Sequence, residues 1–136
     1  MNKIEYKSGY NYQLTKTYTI QTNIKPPKAI KTKYASLSLD GILTVEEGYA
    51  WDGATDAFDT ITFMRGSLVH DALYGLMRME LLDATIYRIQ ADKLLRDICL
   101  EDGMWGAKAD LAYALVRKFG AKAAMRQNEN TIKTAP

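Results

Sequence analysis

The chain of 136 residues carries one cysteine, one histidine and three prolines. A single cysteine, Cys99, excludes an internal disulfide framework and any clustered cysteine metal site. It stands in "LLRDICL", an apolar setting in which a free thiol behaves as a small buried hydrophobe. Long apolar runs are also missing. None approaches the ~18 residues that a spanning helix needs, and the opening "MNKIEYKSGY" lacks the pattern of a signal peptide. Synthesis in a cytoplasm is therefore expected, with any action elsewhere requiring another export system. An excess of one charge is absent as well. Eighteen basic against sixteen acidic residues leave a formal +2, which does not point to a nucleic-acid binder. The basic stretch "IKPPKAIKTK", residues 24 to 33, reads as a solvated loop.

What is present suits one soluble globular domain. Apolar residues make up 47% and charged residues 25%, ordinary values for a chain long enough to bury one core. The expectation is a single α+β domain over residues 1–124, followed by a polar tail at 125–136. The first half reads as strands. "YNYQLTKTYTIQT" is rich in tyrosine, threonine and isoleucine, which suit a pleated, half-buried surface, and the prolines of "IKPPKAI" interrupt it. In "YASLSLDGILTV", Tyr34, Ser36 and Ser38 alternate with Ala35, Leu37 and Leu39. Asp40-Gly41 then predicts a hairpin whose two turn residues both take positive φ. "EEGYAWDGATDAFDT" reads as a loop with short extended pieces.

The second half reads as three helices: Ser67 to Met79, Thr85 to Leu100 and Ala107 to Phe119. Leu68, Leu73, Leu76 and Met77 form an apolar side of the first. Ile86, Ile89, Leu94, Leu95 and Ile98 do so in the second. "EDGM" supplies a glycine cap, and Gly120 is expected to stop the third helix. The architecture is a small antiparallel sheet or hairpin packed on these helices.

His70, the lone histidine, lies in "RGSLVHDALYG". Its helical neighbours Leu73, Tyr74 and Met77 predict that it points inward. Asp71 is rotated by about 100° from it and need not pair with it. Asp92 falls on or beside the apolar stripe of the next helix, where an aspartate needs a partner. The short connector "ELLDA" makes these two helices antiparallel neighbours, so Asp92 can stand opposite His70. A carboxylate on one imidazole nitrogen would leave the other free to act as a base toward water. The alternative is a core histidine satisfied by its neighbours. A further candidate is "YAWDGATD", in which Trp51, Asp52, Gly53, Thr55 and Asp56 can present a binding loop with the hard oxygen ligands that calcium prefers. Its alternative is a turn held by the Asp52 side chain and Gly53. Together, Asp52 and Asp71 could share one divalent cation, calcium first, beside a water that His70 and Asp92 activate to hydrolyse an ester.

Two resemblances follow from these motifs. "LTVEEGYAWDGAT", "SLVHDALYG", "ADKLLRDICLEDGM" and "LVRKFG", in this order over roughly residues 34 to 120, resemble the phage- and prophage-associated family called domain of unknown function 1353. This implies a bacteriophage or prophage origin and brings no activity with it. Such a protein would be made in the host cytoplasm and would act there, in the virion or at the cell envelope. Locally, "HDALY" is similar to the "HDxxY" helix of secreted and bacterial phospholipases A2. That similarity implies His70 as the base, Asp71 as a calcium ligand, Asp92 as the orienting carboxylate and Tyr74 as a supporting hydroxyl. The paired cysteines that flank the histidine in those enzymes are absent.

Two functions are thus expected. One is a small metal-assisted hydrolase of an ester or phospholipid-like bond, with Phe58, Phe63, Met64, Met77 and Met79 as an apolar rim for a lipid surface. The other is a non-catalytic phage accessory or virion protein that contacts a phage or host protein through its nine tyrosines, a residue type suited to interfaces.

Overall fold

The computed structural model describes residues 3–7, 12–52 and 61–125. Strands fill the first part: β1 (Tyr6–Lys7), β2 (Tyr12–Leu14), β3 (Tyr18–Gln21), β4 (Ile30–Lys31), β5 (Ala35–Leu37), β6 (Ile42–Val45) and β7 (Ala50–Trp51). Three helices follow: α1 (Ile61–Arg78), α2 (Ala84–Glu101) and α3 (Gly106–Ala123). The fold is α+β. Where the strand-rich half suggests one sheet, the chain builds two antiparallel ones, ordered β1-β2-β7 and β3-β6-β5-β4. "YNYQLTKTYTIQT" divides between them, because Thr15 to Thr17 break it into β2 and β3.

The hairpin between β5 and β6 forms as expected, but its turn differs. Leu37 pairs with Leu43, and Ser38 N donates to Ile42 O at 3.0 Å, so three residues make the loop. Gly41 takes φ +90°, while Asp40 does not enter the left-handed region. A Cβ on Gly41 would also lie 2.6 Å from the Thr22 carbonyl oxygen. Both backbone angle and space therefore demand glycine there. Leu39, read as the next inward residue of the alternation, falls in this turn and is exposed.

α1 is the central element. Phe63, Met64, Leu68, Val69, Leu73, Leu76 and Met77 are all buried on it. All but Phe63 share one core with Leu14, Leu37, Leu43 and Val45 from the strands, and Phe63 joins a second cluster with Leu95 and Cys99. Each fully buried leucine or valine contributes roughly 1.5–3 kcal/mol. The helix begins at Ile61, six residues before the expected start. Phe63, Met64 and Met77 are thus buried and present no exposed apolar rim; Met79 is exposed, and Phe58 lies outside the described residues. On α2, Ile86 and Ile89 are exposed, while Ala91, Asp92, Leu95, Ile98 and Cys99 face inward. The stripe is rotated because α2 packs against α1 and α3 at once. Asp83 caps α2, its carboxylate accepting from Ile86 N at 3.2 Å. Gly103 closes it at φ +101°. α3 continues past Gly120 to Ala123. Of the tail expected at 125–136, only Met125 is among the described residues.

One glycine and one buried arginine set how these elements meet. At Gly66 a Cβ would approach Cys99 Sγ to 3.0 Å and Leu95 Cδ1 to 3.1 Å, so α1 and α2 touch there with no room to spare. Burial pushes the Cys99 thiol up to about 12, which makes it inert at neutral pH. Arg65 is buried beneath β3. It donates to the Tyr18 hydroxyl at 2.8 Å, to Asp102 Oδ2 at 3.0 Å and to Glu101 Oε1 at 2.5 Å. Burial pulls its pKa down, but the bonds to Asp102 and Tyr18 outweigh that and raise it. This cluster fastens the strands and the end of α2 to α1.

Candidate active site

The antiparallel packing of α1 and α2 brings His70 and Asp92 together. His70 Nε2 lies 2.7 Å from Asp92 Oδ1. The imidazole is slightly open, with 14% of its side chain exposed, whereas Asp92 is fully buried. Tyr74, one turn along α1, donates to the same Oδ1 at 2.6 Å. Its ring stacks on the imidazole with centroids 4.1 Å apart and planes tilted by 35°. This pair, anticipated from the helical spacing, is a geometric fact of the fold. With Asp92 ionised, Nε2 is the nitrogen that donates, so in the neutral ring Nδ1 is the one without a proton.

Asp92 has further partners that the sequence reading missed. Arg117 on α3 donates to Oδ2 at 2.8 Å, and Arg88 stands 3.5 Å from the same oxygen. Arg88 was legible in principle, lying four residues before Asp92 on one helix. Arg117 had no local signal, since its approach depends on how α3 packs. Burial pushes the Asp92 carboxyl up, but the hydrogen bonds from His70, Tyr74 and Arg117 outweigh it and hold it below the usual range. Tyr74 is raised, first by burial and then by its bond to Asp92.

Asp71 does not pair with His70, as the helical rotation allows. It accepts a hydrogen bond from the Tyr49 hydroxyl. Tyr49 is held in place by its backbone, whose carbonyl accepts from Leu14 N at 2.8 Å. Burial raises the Asp71 carboxyl above its ordinary range, and nearby Asp52 adds to this. Tyr49 is raised in turn, by burial first and by Asp71 second. Trp51 is 3% exposed, and its indole N–H donates to Ser67 Oγ at 2.9 Å. It is an interior tether between β7 and α1, not a residue presented to a ligand. Gly53, Thr55 and Asp56 lie outside the described residues.

These groups open onto a cleft of about 680 Å³ between α1 and α3. Asp52, His70, Asp71, Tyr74 and Arg78 line its polar side, and Phe63, Leu95, Leu115, Val116 and Phe119 its apolar side. A wider groove of about 1160 Å³ along the α1–α2 connector is lined by none of the polar groups just named. The expected divalent cation has Asp52 and Asp71 as its donors among the described residues. No group of three or more histidine, cysteine or acidic side chains suited to a metal occurs among the described residues, and Asp71 already takes the Tyr49 hydroxyl. Calcium takes six to eight oxygens, so Asp52 and Asp71 would supply only part of its shell.

No helix among the described residues is long and apolar enough to cross a membrane. Comparison with protein-family models, with curated proteins and with solved structures gives no match.

Proposed function

We propose that the chain is a small hydrolase of ester-type bonds, with His70 as general base. The single observation that carries this reading is the His70–Asp92 pair at 2.7 Å, opening onto a cleft that is polar on one side and apolar on the other. A water bonded to His70 Nδ1 loses its proton to the imidazole while its oxygen attacks the carbonyl carbon. The resulting imidazolium gives that proton to the departing alkoxide as the C–O bond breaks, releasing acid and alcohol. Asp92 holds the ring and stabilises its charged form. Arg78, whose Nη1 donates to the Ala123 carbonyl oxygen at 2.9 Å, is the arginine lining the cleft among the described residues and can face the negative charge that develops on the carbonyl oxygen. The apolar side suits an acyl portion of the substrate. The ordered motifs quoted above support a phage- or prophage-type origin for this hydrolase.

The test is a screen of p-nitrophenyl esters of graded chain length, run with wild type and His70→Ala. Turnover by wild type that vanishes in the variant supports the proposal. Equal rates, or none with any ester, count against it.

A second reading has its own observation. The polar hub around the buried Asp92 ties α1, α2 and α3 together, and an accessory or virion protein would use such a hub purely as a scaffold. His70→Ala separates the two, because a scaffold loses stability where an enzyme loses rate.

A further inference from the structure

We propose that Arg117 is a positioning residue of this centre, acting on His70 through Asp92, so that the catalytic unit is built by three helices. The inference rests on the hydrolase reading for its effect on rate, but not for its effect on the imidazole.

The Asp92 carboxylate sorts its donors by oxygen. Oδ1 takes the imidazole at 2.7 Å and the Tyr74 hydroxyl at 2.6 Å. Oδ2 takes the guanidinium groups, Arg117 at 2.8 Å and Arg88 at 3.5 Å. A carboxylate offers about four lone-pair directions; three accept hydrogen bonds, and Arg88 stands near Oδ2 as a longer ion pair. The terminal torsion of an aspartate is broad and roughly two-fold. With neutral donors alone, the group can turn and share its oxygens between ring and hydroxyl. A cation fixed on Oδ2 removes that freedom and leaves Oδ1 for the Nε2–H.

Arg117 is the stronger of the two cationic holders. Arg88 also approaches the Val116 carbonyl oxygen at 3.2 Å and the Tyr74 hydroxyl at 3.4 Å, so its hold on Asp92 is divided and long. Arg117 reaches Asp92 only because α3 comes close, and Gly120 is where it does so. A Cβ at Gly120 would stand 2.5 Å from the Tyr74 hydroxyl oxygen and 3.1 Å from Arg88 Nη1. The helix therefore runs through this glycine instead of ending before it. Glycine in a helix interior is unfavourable by roughly 1 kcal/mol against alanine, and here the close approach of α3 to Tyr74 requires it.

His70 is the chain's lone histidine, which makes the test direct. Protein labelled with ¹⁵N-histidine gives one imidazole spectrum, recorded over a pH series so that the neutral ring is read directly. Wild type is expected to show a protonated Nε2 and a bare Nδ1. Arg117→Gln is expected to fold, to show both tautomers in exchange, and to lower kcat on the most active p-nitrophenyl ester by on the order of tenfold or more with KM unchanged. Arg117→Lys is expected to restore part of both, and Lys118→Gln, on the exposed neighbour, to change neither. The proposal is overturned if Arg117→Gln keeps the single-tautomer spectrum, if the tautomer is released with kcat unaltered, or if the variant fails to fold, which makes Arg117 structural. A released tautomer in a protein that hydrolyses no ester would uphold the clamp while removing the hydrolase reading.

Discussion

Tyr49, in the turn before β7, donates its hydroxyl to the Asp71 carboxylate on α1. The bond joins the strand half to the central helix, yet burial still holds Asp71 above the usual carboxylate range. A raised folded-state pKa means that the unfolded chain releases this proton first. Ionised Asp71 therefore opposes folding at neutral pH, and the penalty disappears as pH falls below the unfolded value near 3.9. Asp71→Asn keeps an acceptor for Tyr49 and should stabilise the protein by on the order of 1 kcal/mol at neutral pH, with no gain near pH ~3.5. Urea unfolding at the two pH values reads this; a less stable variant at neutral pH refutes it.

Asp92 has the opposite sign. Its pKa is lowered, so its contribution is fully present above the unfolded value and is lost as pH falls through the lower folded one. Asp92→Asn leaves Arg117 and Arg88 without their buried counter-charge and should lower stability by about 3–5 kcal/mol near neutral pH. The gap between variant and wild type should narrow in acid. A constant gap down to the acid transition would contradict this account.

His70→Ala leaves Asp92 with Tyr74, Arg117 and Arg88. Ester turnover should drop by about 10²–10⁴-fold, the range for loss of a general base, while stability falls by only about 1–3 kcal/mol. Initial rates and denaturation curves on the same preparations decide it. A loss of folding with little effect on the specific rate of the folded fraction favours the scaffold.

Glycine replacements should separate by position. Gly66→Ala places a Cβ against Cys99 and Leu95 and should destabilise by about 1–3 kcal/mol despite the better helix propensity of alanine. Gly106→Ala meets nothing within 4 Å and should be neutral or slightly stabilising. Equal melting temperatures for the two variants would refute the close α1–α2 contact.

If Asp52 and Asp71 hold the expected cation, calcium should raise the melting temperature, and no shift with calcium, magnesium or zinc would remove that cation. A rise with calcium that Asp71→Asn abolishes would show that residues 53–60 complete a site with Asp71.

Much of the scaffold was legible because its signals are local. The 3.6-residue spacing of Leu68, Leu73, Leu76 and Met77 marks α1, Gly103 caps α2, and Asp40-Gly41 announces a hairpin. The misreadings have local causes too. Asp40-Gly41 serves equally in two- and three-residue loops, and Gly120 reads as a stop unless the side chain it must accommodate is known. The His70–Asp92 pairing was legible because two helices with a short connector have few ways to face each other.

Residue periodicity alone determined that this chain folds as strands followed by helices, and that one imidazole and one aspartate turn inward on adjacent helices. Only the tertiary structure decided which cations hold that aspartate, which tyrosine holds Asp71, and that the pair opens onto a cleft with an apolar wall. Arg117 and Tyr49 reach their partners across 25 and 22 residues of chain. Contacts of that range depend on how closely α3 and the strands can approach α1, and no pattern within a single helix or strand encodes that distance.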